Sequence, residues 1–356
     1  MSADEASRHA EIQQRLRALE AEAQRLTSFP SAYAGKFTKP PELRRLHRGD
    51  VTQPRETVAP GLPSRIAPSR TISPDAGEPQ RRLALADWIV DPKNPLAARV
   101  IVNRLWHYHF GEGLVATPSD FGANGARPSH PELLDWLASE LLAKQWSLKA
   151  IHREILCSAA WRQSSRSRPE GLRVDAGSRL LWRYPPRRLE AESLRDAVLQ
   201  VSGALDLRMG GPGFDLFEPN TNYVKVYSPR ATFGPGEFRR MIYQTKPRME
   251  LDPVFGAFDC PDGGQVAPRR NVSTTPLQAM SLLNSPFMLQ QSALLAARLE
   301  REAADVDARV RRAFVLAFGR EPDETERGAA AALVRERGLP ALCRALFNAN
   351  EFVTVN

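Results

Sequence analysis

Apolar residues recur at helical spacing in three stretches of the chain and lose that spacing in the two stretches between them. In the first, Ile12, Leu16, Leu19, Ala23 and Leu26 follow one another at steps of four and three, which predicts a helix over residues 5–27. Two heptads do not sustain a coiled coil, so this helix is expected to pack on its neighbours.

The second periodic stretch, residues 81–205, predicts a series of helices. One runs from Arg82 to Val90 and stops before Asp91-Pro92, because the residue before proline avoids helical geometry. Asn94 and Pro95 open the next, which ends at Phe110 with Gly111 suited to a left-handed terminus. Ser129-His130-Pro131-Glu132 reads as a capping box before Leu133 to Lys144. Ser147 caps a helix with Leu148, Ile151, Ile155 and Ala159 on one face, and Arg187 to Val201 forms another that ends near Gly203. The third stretch, residues 274–356, opens with Thr275-Pro276 and Ser285-Pro286. It carries the stripe Val306, Val310, Phe314 and Phe318, and closes with a helix over roughly residues 340–351.

The aperiodic segments differ from each other. Residues 29–80 are rich in proline, serine and threonine and read as a connector, with a short strand and turn at Leu46–Val51. The Arg48-Gly49-Asp50 tripeptide inside it is read as chance. Residues 206–273 hold Gly/Pro-rich loops, and the strand-like runs 223–227 (YVKVY) and 241–244 (MIYQ) predict a short β-hairpin. The expected fold is therefore mostly α, a helical domain with long Gly/Pro-rich loops and one short β-hairpin. Its organisation is an N-terminal helix (1–28), a connector (29–80) and a domain over 81–356. That domain is helical over 81–205, loop-rich over 206–273 and helical again over 274–356.

Composition narrows the function classes. No apolar run approaches the ~20 residues of a membrane-spanning helix. The first residues are charged rather than apolar, so no signal peptide is expected, and the chain reads as cytosolic or as part of something longer. The formal net charge is +8, but only seven of the 49 basic residues are lysine and none form a long run. That distribution argues against nucleic-acid binding, which favours a concentrated basic stripe. Cys157, Cys260 and Cys343 are far apart and match neither zinc nor haem-attachment spacing, so no metal site or covalent haem is expected in this chain. Cys157 and Cys343 lie in helical patterns and read as small core residues.

No phosphate-binding loop, dinucleotide fingerprint, HExxH or GxSxG motif is present. The densest polar cluster, Asn103 to Gly111, offers Asn103, Arg104, His107 and His109. The two histidines, two residues apart, project from a helix about 200° from each other and cannot chelate one ion together. Asn103 and His107, one turn apart, share a face. Asp120 is a candidate acid or base that could pair with His107 or His109, and equally a turn residue that bonds its own backbone. His152, in an apolar helix, reads as partly buried and satisfied. Glu190, Glu192, Arg195 and Asp196 share one helix, and Glu192 with Arg195 or Asp196 with Arg195 reads as a solvated or interhelical ion-pair set. Arg269 and Arg270 precede a helix N-terminus and form a candidate anion site, or else pair with Asp259 or Asp262.

Several segments resemble the planctomycete-specific family known as domain of unknown function 1553. They include Arg82–Trp88 (RLALADW), Asn94–Arg99 (NPLAAR), Asn103–Trp106 (NRLW), Phe110–Val115 (FGEGLV), Pro118–Gly122 (PSDFG) and His130–Trp136 (HPELLDW). Ser158–Ser164 (SAAWRQS), Arg187–Glu192 (RRLEAE) and the stretch Asn271 to Asn284 continue the resemblance, which covers roughly residues 42–356. The resemblance implies a bacterial, extracytoplasmic protein (periplasm or cell surface) whose relatives carry a signal peptide and a cytochrome-c-type haem module upstream. It implies no established activity, so no catalytic residue is carried over. The expected role is an accessory or binding module that docks a cytochrome-c-type or cell-surface partner, or a glycan, with an apolar patch for docking. The alternatives are a polysaccharide-acting hydrolase, in which Asn103, Arg104, His107, His109, Asp120 and Arg270 converge on a pocket lined by Trp106 or Trp161, and an anion or nucleic-acid binder.

Overall fold

The computed structural model describes residues 3–28, 33–67, 71–220, 223, 226–248, 250–252, 254–261, 263–264 and 266–355. The chain forms two compact units, residues 1–95 and 96–356.

The first unit holds α1 (Ala3–Thr27), a hairpin of β1 (Arg44–His47) and β2 (Asp50–Thr57), and α2 (Glu78–Ile89). The hairpin closes through Arg48 and Gly49 at φ +50° and +82°. Two successive positive φ values make the tight turn whose twist matches that of antiparallel strands. Helix α2 starts earlier than its apolar spacing suggests, because Pro79 suits the first turn and Glu78 accepts a 2.8 Å hydrogen bond from Arg82 one turn on. The expectation that α1 packs on its neighbours is not met. Ile12, Leu16, Leu19 and Leu26 are 48–62% exposed, so the stripe lies open to solvent.

The second unit contains α3 (Pro95–Phe110), α4 (Pro131–Ala143), α5 (Leu148–Cys157), α6 (Ala159–Arg162), α7 (Pro169–Val174), β3 (Arg187–Arg188) and α8 (Ala191–Ser202). After the loop-rich segment come α9 (Pro276–Asn284), α10 (Pro286–Glu302), α11 (Val306–Phe318), α12 (Glu324–Arg337), α13 (Leu339–Phe347), α14 (Asn350–Val353) and β4 (Thr354–Val355). The fold is mostly α. Two separate cores organise this unit. The smaller is built from α3, α4 and α5 around Val102, Leu137, Leu141 and Ile151. The larger joins α8 to α14 around Leu194, Leu199, Met288, Leu295 and Phe347. The antiparallel pair β3–β4 sets Arg187 opposite Val355 and Arg188 opposite Thr354, which ties the chain terminus to the strand leading from one core into the other. Val355 itself packs on the smaller core.

Several local expectations are corrected. His130 rather than Ser129 caps α4, and it does so without a side-chain bond. Ser129 Oγ instead lies 3.0 Å from His130 Nδ1. Arg187 and Arg188 are strand, and the helix begins at Ala191. The final helix is two, divided at Asn348 and Ala349. Met241–Tyr243 is a 3-10 turn, and the well-formed hairpin lies at residues 44–57 instead. Val224 and Lys225 of the other expected strand lie outside the described residues. Cys157 is exposed rather than in the core, whereas Cys343 is fully buried.

Candidate functional site

A cleft of about 340 Å³ opens in the second unit where its two cores approach each other. Helix α3 and the turn after it supply Trp106, His107, Phe110 and Glu112, and the following loop supplies Leu114. Strand β3 contributes Arg187 and Arg188, with Glu190 just before α8. Phe258 and Arg270 come from the loop-rich segment, and Arg179 from the turn after α7.

The wall made by α3 is rigid for identifiable reasons. Trp106 stacks on Phe110 with ring centroids 4.2 Å apart, and Phe110 meets Trp161 edge to face at 5.7 Å. Asn103 faces away from the cleft. Its Nδ2 donates to the Val115 carbonyl at 3.0 Å and its Oδ1 accepts from the Val115 amide at 2.8 Å, which pins the loop to the helix. Gly113 is required there, because a Cβ would lie within 2.8 Å of the Asn103 amide group and 2.7 Å from the Val115 carbonyl oxygen. His109 also turns from the cleft. Its Nε2 lies 2.8 Å from His152 Nδ1, and the two rings meet edge to face beside Trp161. Burial, with help from His152 and Arg187, holds the His109 pKa below the ordinary histidine value.

The arginines at the cleft are not equivalent. Arg188 is fully engaged at its terminal nitrogens. It donates to Asp259 Oδ2 at 2.6 Å and to Gln278 Oε1 at 2.7 Å, and also bonds the Ser273 carbonyl. Asp259 is held in turn by the Ser273 amide and hydroxyl. Burial opposes ionisation of its carboxyl, but those bonds and Arg188 outweigh it and hold the pKa below the usual range. Arg270 pairs with Glu192 at 2.5 Å and lies 3.5 Å from Glu190. Arg179 reaches Glu112 only at 3.9 Å. Arg187 donates to the Tyr108 carbonyl at 2.8 Å, and among the described residues it has no carboxylate within ion-pairing distance. The Nε hydrogens of both Arg187 and Arg188 are buried without a protein acceptor.

His107 sits among these charges. Burial lowers its pKa first and Arg269 adds to the effect, while Glu190 and Glu112 oppose it, and the net shift is downward. Its imidazole is therefore neutral at neutral pH.

The structure brings together three of the residues picked out for a pocket: His107, Arg270 and Trp106. Asn103 and His109 are held in the packing of α3 against its loop and α5. Arg104 is half-buried on the same helix and does not line the cleft. Asp120 is a turn residue. Its Oδ1 accepts from the Gly122 amide at 2.8 Å, so its reading as an acid or base gives way to local backbone capping. Arg269 is exposed, and Arg270 takes Glu192 rather than Asp259; Asp262 lies outside the described residues. Arg195, expected to pair with Glu192 or Asp196 in a solvated or interhelical ion-pair set, instead donates across the larger core to the carbonyls of Glu237 and Arg239. Glu112, Arg179, Arg187, Arg188 and Phe258 were not distinguished as site residues by sequence. The Phe110–Val115 and Arg187–Glu192 segments of the family resemblance are what pointed toward most of them.

Among the described residues no three histidine, cysteine, aspartate or glutamate side chains gather as a metal site, and no helix is long and apolar enough to cross a membrane. No curated protein and no solved structure matches the chain. The PSD1 family model, described as protein of unknown function (DUF1553), matches residues 81–334, which span both the helices that form the cleft wall and the strand that carries Arg187 and Arg188. The chain belongs to the DUF1553 family.

Proposed function

We propose that the second unit is a binding module whose cleft takes an acidic saccharide. The observation that supports this most is Arg187, a cleft guanidinium with no carboxylate within pairing distance among the described residues, beside aromatic rings from both cores. Aromatic faces suit the apolar faces of sugar rings, and the Arg187 Nη2, without a protein partner among the described residues, suits a uronate carboxylate. Arg188 and Arg270, already neutralised by Asp259 and Glu192, frame the cleft without adding net charge. An extracytoplasmic setting and a haem-bearing or surface partner, both implied by family resemblance, belong to the same proposal.

Calorimetric titration with a galacturonate oligosaccharide and with its neutral methyl ester tests this reading. Binding of the acid form, weakened by salt, with the ester at least roughly tenfold weaker, is the expected result, since a charge-assisted bond contributes about 1.5–3 kcal/mol. Equal affinity for the two, or no heat with either, contradicts it.

The neutral His107 imidazole, in one cleft with Glu112 and Glu190, favours a second reading: hydrolysis of that saccharide with His107 as a proton acceptor. Release of new reducing ends, abolished in His107→Gln, supports it. A ligand bound and recovered intact removes it.

A further inference from the structure

Away from the cleft opening, Lys246 and Cys260 meet closely. Lys246 Nζ lies 2.5 Å from Cys260 Sγ. A nitrogen and a sulfur joined by an ordinary hydrogen bond stand farther apart than two oxygens do, because sulfur is larger. A direct S–N bond would be much shorter. The observed separation is roughly that kept by two atoms when one oxygen bridges them.

The surroundings suit chemistry at this pair. Glu192 Oε1 accepts a weak contact from the sulfur at 3.7 Å and lies 3.6 Å from the ammonium nitrogen, an ion pair that holds the lysine beside the thiol. Burial opposes ionisation of Glu192, yet Arg270 and Lys246 hold its pKa low, so it is present as the carboxylate. Lys246 and Cys260 also line a cavity of about 10 Å³, at the lower limit for a single water, and Lys246 itself is exposed, so peroxide approaches the pair from the solvent side. The sulfur is 5% exposed at the residue level, which shields it from larger thiols such as glutathione.

We propose that Cys260 and Lys246 form an oxygen-bridged covalent link, Sγ–O–Nζ, when the protein meets hydrogen peroxide. One peroxide oxidises the thiol to sulfenic acid. Its O–O and the S–H bonds break, an S–O bond forms and water leaves. A second peroxide oxidises the Lys246 amine, after its ammonium gives a proton to solvent, to the hydroxylamine: the O–O and one N–H bond break, an N–O bond forms and water leaves. Condensation of the two then forms the bridge and releases a third water. Four electrons pass from sulfur and nitrogen to two peroxides. Burial raises the thiol pKa above its ordinary value, with Lys246 opposing that shift, so the first step is slow and calls for excess peroxide.

The link would also act on the neighbouring pair. A nitrogen bonded to oxygen is far less basic than an ammonium, so Glu192 would lose one of its two cationic partners and hold Arg270 alone. Arg270 lines the cleft, which gives oxidation a route to the ligand site described above; the link itself does not depend on that site.

Peptide mass spectrometry of the full chain after peroxide treatment tests the proposal. Trypsin places Lys246 in residues 241–248 and Cys260 in residues 249–269. The expected product is these two peptides joined, about 14 Da above their summed mass for one oxygen gained and two hydrogens lost. It should separate on treatment with dithiothreitol and be missing from Lys246→Arg, which keeps the charge. The proposal is overturned if Cys260 is found only as thiol, sulfinic or sulfonic acid. It is also overturned if the joined peptides are about 2 Da lighter than their sum, the mark of a direct S–N bond, or if the link survives in Lys246→Arg.

Discussion

Arginines occupy two regions of the second unit under opposite conditions. In the larger core, Arg195 is fully buried and Arg239 nearly so. Neither relies on a direct carboxylate. Arg195 donates to the carbonyls of Arg239 (2.8 Å) and Glu237 and lies against the faces of Phe214 and Phe287. Arg239 reaches the carbonyls of Arg208, Gly210 and Pro212 and stacks 3.9 Å from the Tyr243 ring. At the cleft, Arg187 is half-buried and donates to one carbonyl from Nη1; its Nε, like that of Arg239, is buried without a protein acceptor, but its Nη2 also has no partner among the described residues. The buried arginines thus hold together a loop-rich segment that has little regular backbone pairing of its own. The cleft arginine has capacity to spare, which marks it for a ligand rather than for the fold.

The largest expected effect follows from the buried member. Arg195→Ala leaves two carbonyls unpaired and a cavity between aromatic rings, and should cost about 3–5 kcal/mol in urea unfolding. A loss under about 1 kcal/mol would mean that the carbonyls find water and that the guanidinium is not structural. Burial lowers the Arg195 pKa to about 10, against the pull of Asp252, Asp196 and Glu237, so the side chain remains charged at neutral pH.

Next in size is an acid effect at α3. The His109–His152 bond needs one imidazole to donate and the other to accept, so it fails when both are protonated. The His109 pKa is lowered in the folded chain, so the unfolded chain takes up that proton first as pH falls. Stability from this group is therefore complete above the ordinary histidine pKa and is lost as pH drops through the lowered folded value. Urea midpoints measured from about pH 7 to pH 5 should fall, and His109→Gln should flatten the slope. An unchanged slope in the variant would show that the pair does not titrate with unfolding.

A smaller effect is expected at the surface. Arg320 bonds both oxygens of Glu326 at 2.7 Å and also reaches Glu351; its bonds to Glu326, with one from the Asp323 amide, bring the Glu326 pKa down to about 2. Both partners are substantially exposed, so Glu326→Gln should cost no more than about 1 kcal/mol, and salt should reduce that further. What the carboxylate contributes is present above its unfolded pKa and lost as pH falls toward about 2. A cost well above that bound would place the network among the structural arginines rather than apart from them.

The same contrast explains what could be read from the chain. Helix boundaries marked by local chemistry were legible: Ser147 accepts from the Ala150 amide as an N-cap, and Gly203 and Gly319 end helices in the left-handed region. Thr275 and Gln278 form a capping box at α9. Features set by distant partners were not. His109 meets a residue 43 positions away, Arg188 one 71 away and Arg270 one 78 away, and no spacing rule reaches that far. The stripe on α1 misled for a related reason. A heptad pattern states that an apolar face exists, but not that anything in the chain covers it. His107, Trp106 and Arg270 were found because polar and aromatic residues cluster in their segments. Arg187 was passed over because its distinguishing property is a partner it lacks.

The most direct measurement is a titration of Arg187→Gln with the galacturonate oligosaccharide beside the unaltered chain, with urea unfolding of both. The account predicts an affinity at least roughly tenfold lower and an unfolding free energy changed by no more than about 0.5 kcal/mol. Unchanged affinity, or a loss of stability like that of Arg195→Ala, would contradict it and return Arg187 to the structural arginines.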